Sequence, residues 1–368
     1  MSTYIPPYIA IGLTSKTTFI QHRNEIPAII DEIEALADSA IWLASEDGNV
    51  KLITLIEGGL QGFPDETQEM DPDEYIKNIA IDIENGQEVL LLGSIAKKHK
   101  IYLAFQARTI RKEFPNRYFN EDILLNPQGE VILRSCKNST LYPCEPSTTP
   151  HDVYDQWVEL YGDNLDAFYP VAKTEIGNIG FAMAMEGSYP EYVRGLAMNG
   201  AELILRMNIP EPFADASEIQ NRAHALNNTV YVLGNQSGVS QTPYGPVALT
   251  NGKSQLIDYK GRIVAEKSTT NVSFLSGEVN IEALREYRIN TPIGNWIKDL
   301  RCEIITKIYE KPNLPKNINK DRTTYTAGEY ATEIMHSQVH NMIDRGIFTP
   351  PNAEDWESRV YGYKKKQS

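Results

Sequence analysis

Two stretches of this 368-residue chain place reactive side-chain types where an α/β scaffold can hold them. In ITLIEGG, Glu57 closes an apolar run and two glycines follow it. A carboxylate fixed at a strand end can act as a general base, because the scaffold sets its position. The same residue also reads as a solvent-facing carboxylate at a loop start, and the string alone leaves both open. In TEIGNIGFAMAMEGSYPEYVRGLAMNGAELILRM, an apolar strand over Ile179–Met183 runs into the corner Ala184-Met185-Glu186-Gly187. Corners beyond the carboxyl end of a strand and before a helix are where such folds place chemistry. Lys137 follows another apolar strand and by itself reads as a surface lysine.

The elements that must position these residues can be read from periodicity. Tyr8–Leu13 reads as a first buried strand, and the apolar spacing of three and four from Phe19 to about Leu43 predicts a helix. Val50–Ile56 is the strand that delivers Glu57. A helix over Gln87–Lys100 and a strand over Ile101–Phe105 come next. EDILLNPQGEVILRS is a hairpin turning at Asn126-Pro127-Gln128-Gly129, and it carries the chain to Lys137. Beyond the corner, Pro190 suits a first helical turn, where its missing N–H would be unpaired anyway. A strand over Glu202–Met207, a helix near Ala214–Leu226 and a strand over Thr229–Leu233 follow. A second hairpin, SQLIDYKGRIVAEK, repeats the lettering of the first and hints at internal pseudo-symmetry.

The corner stretch resembles the nucleophile segment of the carbon–nitrogen hydrolase (nitrilase) superfamily, and within it the aliphatic amidase and formamidase branch. The resemblance spans about Ile9 to Leu284. ITLIEGGLQGFPDE is similar to the first motif, with Ile56 where a proline is usual. LRSCKNSTLYPCE is similar to the second, and GSYPEYVR and MNGAELIL favour amidases over nitrilases, whose C-W-E string Glu186 fits only loosely. The resemblance implies an α/β fold, a four-layer α-β-β-α sandwich, over 1–308. It implies Glu57 as base, Lys137 as oxyanion stabiliser together with the Met185 N–H, and Glu145 as the carboxylate that positions the substrate. Met185, Glu186, Tyr142 and Ser188 would shape the substrate pocket, with Gln236 and Tyr244 near it.

The residue at the nucleophile position of this Glu-Lys-Cys triad is Ala184. A cysteine there would attack an amide carbon, release ammonia and leave a thioester for water to hydrolyse. A methyl group has no lone pair to offer. The expected function is therefore that of an amidase acting on a small non-peptide amide, seen in a Cys-to-Ala inactivated form. A natural, catalytically dead relative that binds an amide, a nitrilase acting on C≡N, and a different chemistry run by a Glu57-activated water remain open beside it.

A net charge of −14 argues against a nucleic-acid surface, which needs clustered cations. Cys136, Cys144 and Cys302 are odd in number and lack a CxxC, so neither a disulfide framework nor a zinc site is expected. Cys136 and Cys144 read as residues lining the site. His336 and His340 lack the glutamate of a zinc-protease helix, the glycine spacing before Lys253-Ser254 is wrong for a phosphate loop, and no G-x-S-x-G surrounds Ser188. His224 reads as a packing or hydrogen-bonded residue. No metal or organic cofactor is implied. Without an apolar leader or a long apolar run, a cytoplasmic protein is expected. From Tyr309 the Pro-, Lys- and Asn-rich composition suggests an arm, 309–368, packed on a partner subunit or wrapped over its own domain, and the resemblance to aliphatic amidases favours an arm that interlocks subunits of a homo-oligomer.

Overall fold

The computed structural model describes residues 4–67, 70–140, 145–209, 216–237, 239–242, 245–248, 252–269, 272–325 and 329–359. Its centre is a pair of stacked sheets. One runs Ser273–Val279, Tyr8–Thr14, Val50–Thr54, Tyr102–Ile110, Tyr118–Leu125, Val131–Cys136, with Ile81–Asp82 as a seventh strand beside Tyr102–Ile110. The other runs Ile263–Thr269, Gly252–Ile257, Tyr231–Gln236, Leu203–Asn208, Gly177–Phe181, Val171–Thr174.

Each sheet has three adjacent parallel strands, flanked by an antiparallel hairpin on one side and one antiparallel strand on the other. The two hairpins noted in the sequence occupy matching places in the two sheets, which gives the pseudo-symmetry a structural basis.

Strand alternation separates the layers. Ala10, Leu52, Ala104 and Leu124 face Ile179, Phe181, Leu203 and Leu205 between the sheets. Ile9, Ile11, Ile53 and Leu103 face the outer helices instead. Helix Ile26–Ala44 buries Ile26, Ile30, Ile33, Ala37, Ala40 and Ala44, the three-and-four spacing that makes one apolar stripe. On the other outer face Val193, Leu196 and Ala225 cover Ile204 and Val232. The result is the expected four-layer α-β-β-α sandwich. Among the described residues no helix is long and apolar enough to cross a membrane.

Two boundaries differ most from expectation. The helix expected from Phe19 starts at Ile26, after a short turn over Arg23–Glu25. The strand expected to stop at Phe105 continues to Ile110. Its second half carries Gln106 and Arg108, both buried, and their polarity hides the strand. It survives because it pairs with Tyr118–Leu125 along its length and its polar groups find internal partners.

Beyond Tyr309 the described chain returns over its own domain. The N–H groups of Asn317 and Asn319 donate to the carbonyls of His151 and Asp152 at 2.9 and 3.1 Å. The Arg117 guanidinium donates to the carbonyls of Asn319 and Arg322. The helix expected over Glu329–Asp344 is there, opening as a π-helical turn over Tyr330–Met335 before α-helix His336–Asp344.

Candidate active site

Glu57, Lys137 and Glu145, far apart in the chain, meet in one buried cluster. The Val50–Thr54 strand delivers Glu57, and Gly58 turns the chain away at φ 71°. A Cβ on Gly58 would come within 2.5 Å of the Phe63 ring, so both the conformation and the space call for glycine. Lys137 directly follows Val131–Cys136, and its backbone N–H stays tied to the Asn120 carbonyl at 2.9 Å.

The Lys137 ammonium donates to Glu145 Oε2 at 2.7 Å and reaches Glu57 Oε1 at 3.5 Å. All three side chains are 2–4 % exposed. Glu145 also accepts from Asn120 Nδ2 at 2.7 Å and Ser147 Oγ at 3.2 Å through Oε1. The other oxygen of Glu57 accepts the Ile209 N–H at 3.2 Å, a bond across to the second sheet.

Electrostatics fix the roles these groups can take. Burial works against the Lys137 charge, but the Glu145 and Glu57 carboxylates outweigh it and hold the ammonium above the ordinary lysine range. Burial likewise pushes the Glu145 carboxyl up, and the Lys137 and Arg108 cations reverse that, holding it well below the carboxylate range. Lys137 is thus a permanent cation in a dry site, suited to stabilising an oxyanion and unsuited to proton abstraction.

The corner lies beyond the Gly177–Phe181 strand. Ala184 takes φ 45°, the left-handed region that an L residue enters at a cost. A short turn over Ala184–Ser188 follows, and Pro190 opens helix Pro190–Met198 in its first turn. Arg206 Nε donates to the Ala184 carbonyl at 3.1 Å, while its other nitrogens donate to Asn221 Oδ1 and Gln220 Oε1 at 2.9 Å. His224 Nε2 bonds the Gly187 carbonyl at 2.7 Å. Burial holds its pKa down at about 4, so the neutral ring donates that bond. Glu186 connects the corner to the cluster, because its Oε1 accepts the N–H of Asn138, the residue after Lys137, at 2.7 Å. Burial raises the Glu186 carboxyl to about 8.

Met185 and Asn138 open onto a cavity of about 1070 Å³. A smaller cavity, about 640 Å³, lies at the other end of the strands near Lys51 and Lys100 and touches none of these groups.

Of the sequence-derived site residues, Glu57, Lys137 and Glu145 are brought together, and Glu186 ties the corner carrying Ala184 and Met185 to the residue after Lys137. Ser188 is exposed and outside the lining of the larger cavity. Gln236 is buried at a strand end, its Oε1 accepting the Lys253 N–H at 2.8 Å. Tyr142, Cys144 and Tyr244 lie outside the described residues. Cys136 does not line the site as expected. It packs with Phe114, Phe119 and Trp157 on the outer face of its sheet, where burial pushes its thiol well up.

Arg206, Asn120 and Arg108 were not singled out from sequence. The signal for Arg206 was a charge inside the apolar run ELILRM, since a buried arginine needs partners.

Residues 20–289 match the family described as Carbon-nitrogen hydrolase. A formamidase from Bacillus cereus is 23% identical over 255 residues, 68% of each chain. A carbon-nitrogen hydrolase structure from Helicobacter pylori aligns with TM-score 0.62 at 18% identity, covering 83% of this chain and 99% of that one. A Cys-to-Ala mutant of the amidase from Nesterenkonia sp., solved in complex with butyramide, aligns with TM-score 0.57 at 17% identity, covering 83% and 99%. These structural likenesses bear on the fold.

Proposed function

The chain belongs to the carbon–nitrogen hydrolase family, and from that premise we propose that its site is built to cleave a non-peptide amide to a carboxylic acid and ammonia, with position 184 as the nucleophile position. The observation that carries this reading is the placement of the buried Lys137 ammonium between Glu57 and Glu145, with the strained corner at 184 tied to the next residue, Asn138, through Glu186.

With a thiol at 184, Glu57 accepts the thiol proton and sulfur adds to the amide carbon. The oxyanion is held by Lys137 and the Met185 N–H. The C–N bond then breaks, the proton leaves with the amine as ammonia, and a thioester remains. Water loses a proton to Glu57, adds to the thioester and breaks the C–S bond, and the proton on Glu57 returns to the leaving sulfur. Glu145 keeps Lys137 in place and accepts from the substrate amide.

With Ala184 the chain binds such an amide without cleaving it by this route. The alanine itself supports a second reading, an amide-binding protein whose chemistry is lost by nature. Turnover by an Ala184→Cys variant separates the two. Ammonia release from small amides by the variant alone supports the amidase. A folded variant that binds amides and releases no ammonia supports the binding protein, and preference for nitriles over amides would move the reaction class to nitrilase. We also place the chain in a homo-oligomer, cytoplasmic and free of cofactors, with the 309–368 arm contributing to the subunit contact. Ile289, Ile293, Ile304 and Ile308, each more than 60 % exposed in the segment just before that arm, support a subunit contact.

A further inference from the structure

The cavity beside the corner is far larger than formamide or acetamide needs, and at about 1070 Å³ it is in the range that encloses a drug-sized ligand. Its reach to the chemistry is short. Met185 adjoins the nucleophile position, and Asn138 adjoins Lys137 while donating its side chain to the Phe168 carbonyl at 2.7 Å.

The walls are aromatic. Tyr192, on the helix after the corner, lies 5.5 Å from the Tyr189 ring and 6.2 Å from the Tyr169 ring, and Phe168 stacks on Tyr154 at 5.5 Å. Rings already held by one another cost little further ordering when a flat ligand slides against them.

Charge in the cavity has one sign. Asp152 and Asp163 line it, and no lysine or arginine does among the described residues. Asp152 is buried, with one oxygen accepting the Thr149 N–H at 2.8 Å. A ring bearing a carboxylate would meet like charge in a poorly solvated space, whereas a neutral or cationic ring would not.

The far wall comes from outside the family match. Tyr309, Leu314, Tyr330 and Met335 line the cavity, and all lie beyond residue 289. Tyr309 is anchored by donating its hydroxyl to Glu191 Oε1 at 2.5 Å, on the helix that also carries Tyr192. The C-terminal segment therefore adds apolar and aromatic wall to the cavity beside the corner, a feature the matched region does not supply alone.

We propose that the ligand of this site is an aromatic amide without negative charge, its carboxamide at the corner and its ring in the tyrosine-lined slot. The inference rests on the amide-directed reading given above.

The test uses the protein as it stands, with Ala184, and calorimetric titration of acetamide, phenylacetamide, 4-(aminomethyl)benzamide and 4-carbamoylbenzoate. Phenylacetamide and the cationic ring amide should bind at least about tenfold more tightly than acetamide, with the carboxylate-bearing ring amide the weakest of the three ring compounds. Tyr192→Ala should bring the ring-to-acetamide ratio down toward one. Tyr189→Ala, at a residue 41 % exposed, makes the same test should the substitution at half-buried Tyr192 fail to fold. Acetamide binding as tightly as the ring amides, or the carboxylate-bearing ring binding best, overturns the proposal. Ammonia release from the same panel by Ala184→Cys tells the two failures apart. Acetamide turned over with ring amides ignored leaves the amidase reading standing and removes this one, whereas no binding and no turnover for any amide removes both.

Discussion

The Lys137 ammonium sits 2.7 Å from Glu145 but 3.5 Å from Glu57. One carboxylate is therefore clamped to the cation, and the other is held mainly by the Ile209 N–H. The asymmetry fits a division of labour in which Glu145 fixes the cation and Glu57 serves as base. It also makes Lys137 structural. Lys137→Met leaves two buried carboxylates without their cation, and should lower unfolding free energy by about 3–5 kcal/mol in denaturant titrations at neutral pH. A loss under about 1 kcal/mol would mean that the cluster is more hydrated than its burial indicates.

The two ends of the pH range should report different carboxylates. Glu145 has a folded pKa below its unfolded value, so its stabilisation is present above the unfolded value near 4.5 and is lost as pH falls toward about 2. Glu186 has the opposite sign. Raised to about 8, it keeps a proton in the folded chain that the unfolded chain releases, so its contribution to stability declines as pH rises from about 4.5 to about 8. Glu186→Gln should flatten the alkaline decline and leave the acid limb in place, as measured by denaturant midpoints from pH 3 to 9. An unchanged slope between pH 5 and 8 would count against a buried protonated Glu186.

Gly187 is the tightest spot at the corner. A Cβ there would lie 2.1 Å from Arg206 Nε and 2.4 Å from its Cζ, so Gly187→Ala must displace the guanidinium that holds the Ala184 carbonyl. A stability loss of about 1–3 kcal/mol is expected, accompanied by loss of amide binding measured by calorimetry. Retained binding would show that Arg206 does not set the corner.

Much of this site was legible in the sequence, because its motifs are local. Glu57 follows its apolar strand and directly precedes two glycines, Lys137 follows a hairpin, and Pro190 marks the helix start beyond the corner. Arg206 was harder to read. Its partners Gln220 and Asn221 lie on another element, and only the anomaly of a charge in an apolar strand pointed to it. The aromatic slot was not legible at all, because Tyr192 and Tyr330 become neighbours of one cavity only through the return of the C-terminal segment. The strand through Gln106 and Arg108 reads shorter in the sequence than it is, for a related reason. Inward-facing polar residues satisfied by distant partners break the alternation that marks a strand.

The left-handed backbone at Ala184 carries its own consequence. Ala184→Gly relieves a conformation that glycine accepts freely, so it should raise stability by up to about 1 kcal/mol despite its entropic cost in the unfolded chain. A clear loss of stability in thermal melts would show that the Ala184 methyl packs more than its backbone strains.

The central claim is that position 184 is where the acyl group attaches. The most direct test is acid-quenched intact-mass and peptide-mass analysis of Ala184→Cys during turnover of a primary amide. The account predicts an added acyl mass on the peptide carrying position 184, appearing with the first equivalent of ammonia and absent from the Ala184 protein. Ammonia release with no acyl mass on that peptide, or turnover by the Ala184 protein itself, would contradict it.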